Sequence, residues 1–203
     1  YAVTDAAWTG EKTLTEQTEE AMKGGITFLQ LREKHLPEAA FLKEAIEIRD
    51  LARKYQIPFV INDNIEIAQK AEADGVHVGQ DDMPVEEVRQ ILGPDKIIGV
   101  SAHNVEEAVR AEQGGADYLG VGAVYPTSTK ENTSAVSMEE MKKICQTVSI
   151  PVVAIGGIKK DNMNVLTGTG VDGIAVVSAI FAAKDIRKAA RELLEAVKEM
   201  KAE

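Results

Sequence analysis

The chain has 203 residues, enough for one substantial hydrophobic core or at most two small domains. Its formal net charge of −10 argues against nucleic acid, which needs a basic stripe, and no apolar run approaches the roughly 20 residues of a membrane-spanning helix. Apolar residues make up 44% and charged residues 28%, an ordinary globular balance, and the single cysteine, Cys145, forms no internal disulfide and fits a reducing cytoplasm.

Taken in order, short apolar strand signals alternate with amphipathic helix signals. The pattern predicts strands at Tyr1–Thr4, Ile26–Leu31, Pro58–Ile61, Gly75–Val78, Lys96–Val100, Tyr118–Val121, Val152–Ile155 and Gly173–Val177. Helices are predicted at Leu14–Lys23, Pro37–Tyr55, Ile65–Glu72, Val85–Leu92, Val105–Gln113, Met138–Val148, Lys160–Leu166 and Asp185–Met200. Thr13 or Thr15 caps the first helix and Gly24-Gly25 ends it; Pro84 opens the fourth and Gly114-Gly115 follows the fifth. No leader pattern precedes the first strand, and the abrupt opening at Tyr1 suggests that a natural N-terminal stretch is missing.

Alternating strands and helices imply a parallel sheet, and short turns without a Pro/Ser-rich linker imply one domain over residues 1–203. Eight such units favour a single-domain α/β fold, the (β/α)8 TIM barrel, over a doubly wound open sheet. In that barrel the C-terminal strand ends carry function. Nearly every polar residue that interrupts an apolar run falls there, whereas the opposite ends offer turns such as Ile57-Pro58 and Ile150-Pro151.

The richest tip is Phe28–Lys34. Gln30, Arg32 and Lys34 alternate, so on a strand they share one face, and two cations beside an amide suit a phosphate or pyrophosphate. The bland alternative is solvated charge at a strand end. Asn62-Asp63 and Asp82 end adjacent strands, where two carboxylates converging beside a phosphate suit Mg²⁺; helix capping by Asp63, Asn64 or Asp82 is the alternative. Gly156-Gly157 and Val177-Ser178 end the last two strands, where backbone N–H groups often hold a phosphate. Thr127, Ser128, Thr129 and Lys130 offer hydroxyls and an ammonium to an anion, or form an ordinary surface loop.

Ser101 is placed to contact a leaving-group oxygen or a heterocycle, with no Asp-His relay evident to make it a nucleophile. His35 reads as solvated, His77 as a structural imidazole, and His103 as the one histidine placed for proton transfer. Cys145 reads as a small core residue, and no Cys/His spacing matches a zinc site. Trp8 either flanks a planar ligand or packs over the barrel mouth.

In combination, seven ordered segments resemble the thiamine phosphate synthase family over essentially the whole chain. They are Gln30-Leu31-Arg32-Glu33-Lys34, Asn62-Asp63, His77 to Asp82, Gly99 to His103, Tyr125 to Lys130, Ala154 to Ile158 and Val177 to Ile180. The resemblance implies a (β/α)8 barrel that joins a hydroxymethylpyrimidine pyrophosphate to a thiazole phosphate, or its carboxylated form, and releases pyrophosphate. It implies Arg32, Lys34, Ser101 and Lys130 as catalytic groups and Asp63 and Asp82 as Mg²⁺ ligands. Gln30, Leu31, Glu33 and Asn62 would belong to the pyrimidine pyrophosphate site. Thr127, Ser128 and Thr129 would meet the thiazole, and Gly157, Val177 and Ser178 its phosphate.

The implied mechanism is dissociative: pyrophosphate leaves first and the thiazole nitrogen captures a pyrimidine methyl cation, which asks for charge stabilisation rather than a protein nucleophile. Two departures from the family pattern stand out. Ala6 replaces a basic residue near the first strand tip, and Glu131-Asn132 follows Lys130 where Lys-Asp is common. Two other functions compete: a thiazole tautomerase using His103 as base, and a silent phosphate-binding barrel. The full set of pyrophosphate cations and metal acids points away from both.

Overall fold

A computed structural model describes residues 1–126 and 135–202. Its single sheet has eight parallel strands in sequence order: β1 (Ala2–Val3), β2 (Leu29–Leu31), β3 (Phe59–Asn62), β4 (Gly75–Val78), β5 (Ile97–Ala102), β6 (Tyr118–Val121), β7 (Val152–Ile155) and β8 (Gly173–Ala175). Past the end of β8, Val176 bridges back to Ala2, with Val3 N–H donating to Val176 O at 2.9 Å, so the sheet curls into a nearly closed barrel. The helices are α1 (Leu14–Gly24), α2 (Glu38–Tyr55), α3 (Ile65–Lys70), α4 (Val85–Leu92), α5 (Val105–Gln113), α6 (Met138–Thr147), α7 (Ser178–Phe181) and α8 (Ile186–Ala202). This is the expected (β/α)8 architecture. No helix among the described residues is long and apolar enough to cross a membrane.

Each strand divides its residues by parity. Leu29, Leu31, Phe59, Ile61, Val76, Ile98 and Leu119 are wholly buried in the core between barrel and helices. The alternate positions, Gln30, Asn62, His77, Ser101 and Gly120, line a cleft in the barrel interior. Apolar residues therefore glue the helices on, and the polar set is left for a ligand.

Helix starts follow local chemistry. Thr13 caps α1 in a reciprocal box with Glu16, Asn104 caps α5 and Ser137 caps α6, while Gly25 ends α1 at φ 100°. At the opposite end of the barrel one device recurs. Asp74, Asp117 and Asp172 immediately precede β4, β6 and β8, and each carboxylate accepts an N–H from the first or second residue of the preceding odd strand: Phe59 at 2.8 Å, Ile98 at 2.8 Å and Val152 at 2.9 Å. These bonds pair backbone donors that the sheet itself leaves without a partner.

One predicted helix is corrected. Lys160–Leu166 forms only a 3-10 turn at Met163–Leu166. Asn162 is the cause: its side chain accepts the Lys159 N–H at 2.8 Å and donates to Gly157 O at 3.0 Å, a local arrangement that competes with helix.

Candidate active site at the C-terminal mouth of the barrel

The cleft opens at the C-terminal ends of the strands and spans about 1010 Å³ of empty space, open solvent at its mouth included. Gln30, Arg32, Asn62, Ser101, Gly157, Val177 and Ser178 all line it. Parity sorts the Phe28–Lys34 segment. Gln30 and Arg32 face inward, while Leu31 is fully buried in the outer core and Glu33 lies in a separate groove with Glu44. Neither the Leu31 nor the Glu33 side chain meets the cleft, contrary to their expected place in the substrate-binding segment. A strand turns successive side chains to opposite faces. Lys34 does not line the cleft either; it pairs with Asp63 at the rim.

Thr4 anchors the β2 tip, its Oγ1 accepting the Arg32 N–H at 2.9 Å. Asp5 stands 3.8 Å from the Arg32 guanidinium and also caps the 3-10 turn that begins at Ala6, so the local charge beside Arg32 is acidic.

The capping alternative for the acids is not what the structure shows. Asn64 caps α3, accepting the Ile67 N–H at 2.9 Å, and Pro84 occupies the α4 cap position. Asp63 is thereby left to face Lys34 and to accept from Asn62 Nδ2 at 2.7 Å. Its backbone sits at φ 61°, in the left-handed region that costs a non-glycine residue about 1–2 kcal/mol. Asp82 accepts the Gly79 N–H at 2.6 Å. Burial pushes the Asp82 carboxyl above its usual range; the Gly79 bond opposes this, and the Asp63 carboxylate beside it adds to it. Two acids held together at that disadvantage fit a divalent cation. Among the described residues no group of three or more His, Cys, Asp or Glu gathers around such a point, so the remaining ligands would be external oxygens, as Mg²⁺ prefers.

Across the cleft, Gly156 and Gly157 take φ 101° and 65°, and a Cβ on Gly157 would stand 2.7 Å from Tyr125 Cβ. No side chain fits, so the backbone itself lines the wall. Asn162 clamps the Gly157 carbonyl, and the Tyr125 hydroxyl in turn donates to Asn162 O at 2.9 Å. His103 also lines the cleft; Glu107 Oε2 meets both its N–H and its Nδ1 at 2.8 Å. Burial alone would raise Glu107, but the bonds from His103 outweigh it and hold the carboxyl below its usual range.

The floor adds Tyr1 and Tyr118, which the sequence did not single out, to Gln30, His77 and Ser101. Tyr1 and Tyr118 hydroxyls meet at 2.8 Å, Gln30 Nε2 donates to Tyr1, and His77 bridges Tyr118 (2.9 Å) and Ser101 (3.0 Å). Gln30, His77 and Tyr118 are all buried. Glycines inside strands were the available signal. A Cβ on Gly99 would lie 2.1 Å from the Tyr118 ring, and one on Gly120 would lie 3.1 Å from His77. Thr127, Ser128, Thr129 and Lys130 lie outside the described residues, as do Glu131 and Asn132.

A family model described as thiamine monophosphate synthase matches residues 1–180. The thiamine-phosphate synthase of Clostridium acetobutylicum is 52% identical over 98% of this chain and 94% of its own length. That of Methanobrevibacter smithii is 48% identical over the same shares. Among solved structures, thiamine phosphate pyrophosphorylase from Pyrococcus furiosus superposes with a TM-score of 0.90 at 43% identity, covering 99% of this chain and 96% of that one.

Proposed function

The chain belongs to the thiamine monophosphate synthase family, and on that footing we propose that it is the synthase itself, a transferase of a pyrimidinylmethyl group. Its substrates would be 4-amino-2-methyl-5-hydroxymethylpyrimidine pyrophosphate and thiazole phosphate or its carboxylated form; its products would be thiamine phosphate and pyrophosphate. The observation that carries this reading is convergence. Arg32, Asn62 and Ser101 line one cleft whose other wall is the Gly156-Gly157 backbone and Val177-Ser178, and Asn62 links that cleft to the Asp63–Asp82 pair by donating to Asp63.

The residues divide the work by chemistry. Arg32 is a fixed, always-charged fork suited to the pyrophosphate oxygens, and Lys34 and Lys130 would add charge as the C–O bond to the pyrimidine methylene breaks and pyrophosphate leaves with the electron pair. Asp63 and Asp82 would hold Mg²⁺, whose chemistry is to neutralise pyrophosphate charge. Gln30 and Ser101 face the heterocycle, and Asn62 steadies Asp63. The thiazole nitrogen then forms the new C–N bond to the exposed methylene. Thr127, Ser128 and Thr129 would meet the thiazole ring, and Gly157, Val177 and Ser178 its phosphate through backbone N–H groups. With both substrates pinned, orientation and charge supply the rate, and no protein nucleophile is required. A cytoplasmic setting is part of this reading and rests on the single cysteine, Cys145, which forms no internal disulfide.

The test is pyrophosphate release from the pyrimidine pyrophosphate, with and without thiazole phosphate, in Mg²⁺ and then in chelator. Release that needs both the thiazole and the metal, with thiamine phosphate as product, is expected. Folded protein that releases none overturns the synthase reading. The isomerase reading has His103 in its favour, oriented by Glu107 at the cleft wall; proton exchange on thiazole phosphate without pyrophosphate release would select it.

A further inference from the structure

We infer that the hydrogen-bond chain on the cleft floor runs in one direction, and that Tyr118 is a positioning residue which, through His77, turns the Ser101 hydroxyl hydrogen toward the bound heterocycle. The role of the heterocycle rests on the synthase reading; the direction of the chain does not.

With the Gln30 amide nitrogen turned toward Tyr1, donor and acceptor counting sets the direction. The Gln30 amide nitrogen carries only donors, so the Tyr1 oxygen accepts from it. A phenol has one hydrogen, and the remaining neighbour of the Tyr1 hydroxyl is that of Tyr118, at 2.8 Å; Tyr1 therefore donates there. The Tyr118 hydrogen passes to His77 Nδ1 at 2.9 Å. An accepting Nδ1 fixes the neutral imidazole as the Nε2–H tautomer, which donates to Ser101 Oγ at 3.0 Å. Ser101 Oγ then accepts within the chain, and its own hydrogen is left for the cleft that it lines.

The two ends consequently differ in sign. Gln30 keeps its carbonyl oxygen as an acceptor, and Ser101 presents a donor. A heterocycle with an amino donor on one side and a ring-nitrogen acceptor on another matches this pair; an analogue whose amino group is replaced by an oxo group mismatches it. Turning over the Gln30 amide would reverse every link together and make Ser101 an acceptor, because each member has only one way to satisfy both neighbours. Five residues from β2, β4, β5, β6 and the segment before β1 thus share one proton arrangement. The chain is also sterically committed: with 2.1 Å between a Gly99 Cβ and the Tyr118 ring, only glycine leaves the phenol in its place.

The experiment joins imidazole nitrogen NMR with steady-state kinetics of the whole chain and Tyr118→Phe, which keeps the ring beside Gly99. The parent without substrates should show His77 as the Nε2–H tautomer alone, and Tyr118→Phe should show a mixture. In turnover, Tyr118→Phe should raise KM for the pyrimidine pyrophosphate about 10-fold, the cost of one hydrogen bond lost to a ligand, and leave KM for thiazole phosphate unchanged. An Nδ1–H tautomer in the parent overturns the direction, and an unchanged pyrimidine KM in Tyr118→Phe overturns the positioning role. If the parent forms no thiamine phosphate, the synthase reading fails while the tautomer measurement still decides the chain.

Discussion

Replacing Asp63 by glycine separates the charge at this position from its backbone geometry. In the parent, Asp63 holds φ 61°, pairs with Lys34 and accepts from Asn62. The Lys34 and Asp63 side chains are 43% and 27% exposed, so losing that pair costs at most about 1 kcal/mol of stability. Glycine adopts the left-handed backbone without strain and regains about 1 kcal/mol. The two effects nearly cancel against a total stability of about 5–15 kcal/mol, so Asp63→Gly should unfold in urea close to the parent midpoint. Activity should not follow stability. Removing one of two carboxylates that would hold the cation should lower kcat/KM for the pyrimidine pyrophosphate by about 100-fold or more, the scale seen when one electrostatic element of an active site is lost. Asp63→Ala should lose the same activity and, unlike glycine, about 1 kcal/mol of stability. Pyrophosphate release across a Mg²⁺ titration measures the first quantity and urea melts the second. An Asp63→Gly protein within about threefold of parental kcat/KM would refute the metal assignment.

Gly157→Ala should raise KM for thiazole phosphate about 10-fold or more while sparing KM for the pyrimidine substrate, because the new Cβ falls 2.7 Å from Tyr125 Cβ at φ 65°; equal effects on both substrates would contradict the division of the cleft. Asp117→Ala removes a carboxylate that accepts from the Ile98 N–H at 2.8 Å and from Arg89 at 2.6 Å, and should cost about 2 kcal/mol in chemical denaturation. Glu44 is pushed up to about 7 by burial first and then by Glu33 and Glu47. Its folded pKa lies above the unfolded one, so the folded state binds the extra proton and stability declines as pH rises from about 4.3 through about 7. Glu44→Gln should flatten that decline and gain about 1 kcal/mol above pH 7, after discounting for solvent screening; thermal melts from pH 4 to 8 would show it, and an unchanged slope would refute it.

Much of the molecule is written locally in the chain. Short apolar runs in Phe59–Asn62, Gly75–Val78 and Val152–Ile155 made strands, Thr13 and Gly25 bounded α1, and polar residues clustered where apolar runs ended. Those features are legible because a few neighbouring residues decide backbone conformation and facing. The same parity would have turned Leu31 and Glu33 away from the cleft, since they alternate with Gln30 and Arg32 along one segment. Asn162, by contrast, converted a helical pattern to a turn only because a carbonyl five residues earlier was there to meet it.

What the sequence by itself determined, then, was the order of strands and helices and the end of the barrel that carries chemistry. The tertiary structure decided which side chains meet. Tyr1 and Tyr118 are 117 residues apart, and His77 and Ser101 are 24 apart, yet they form one floor. Asp63 and Asp82 became neighbours, and Asp82 was pushed toward its protonated form, through burial and proximity that neither segment specifies alone. Closure of the barrel is the physical reason: strand register and curvature bring distant inward positions to one depth, and no local rule of propensity or spacing contains that distance.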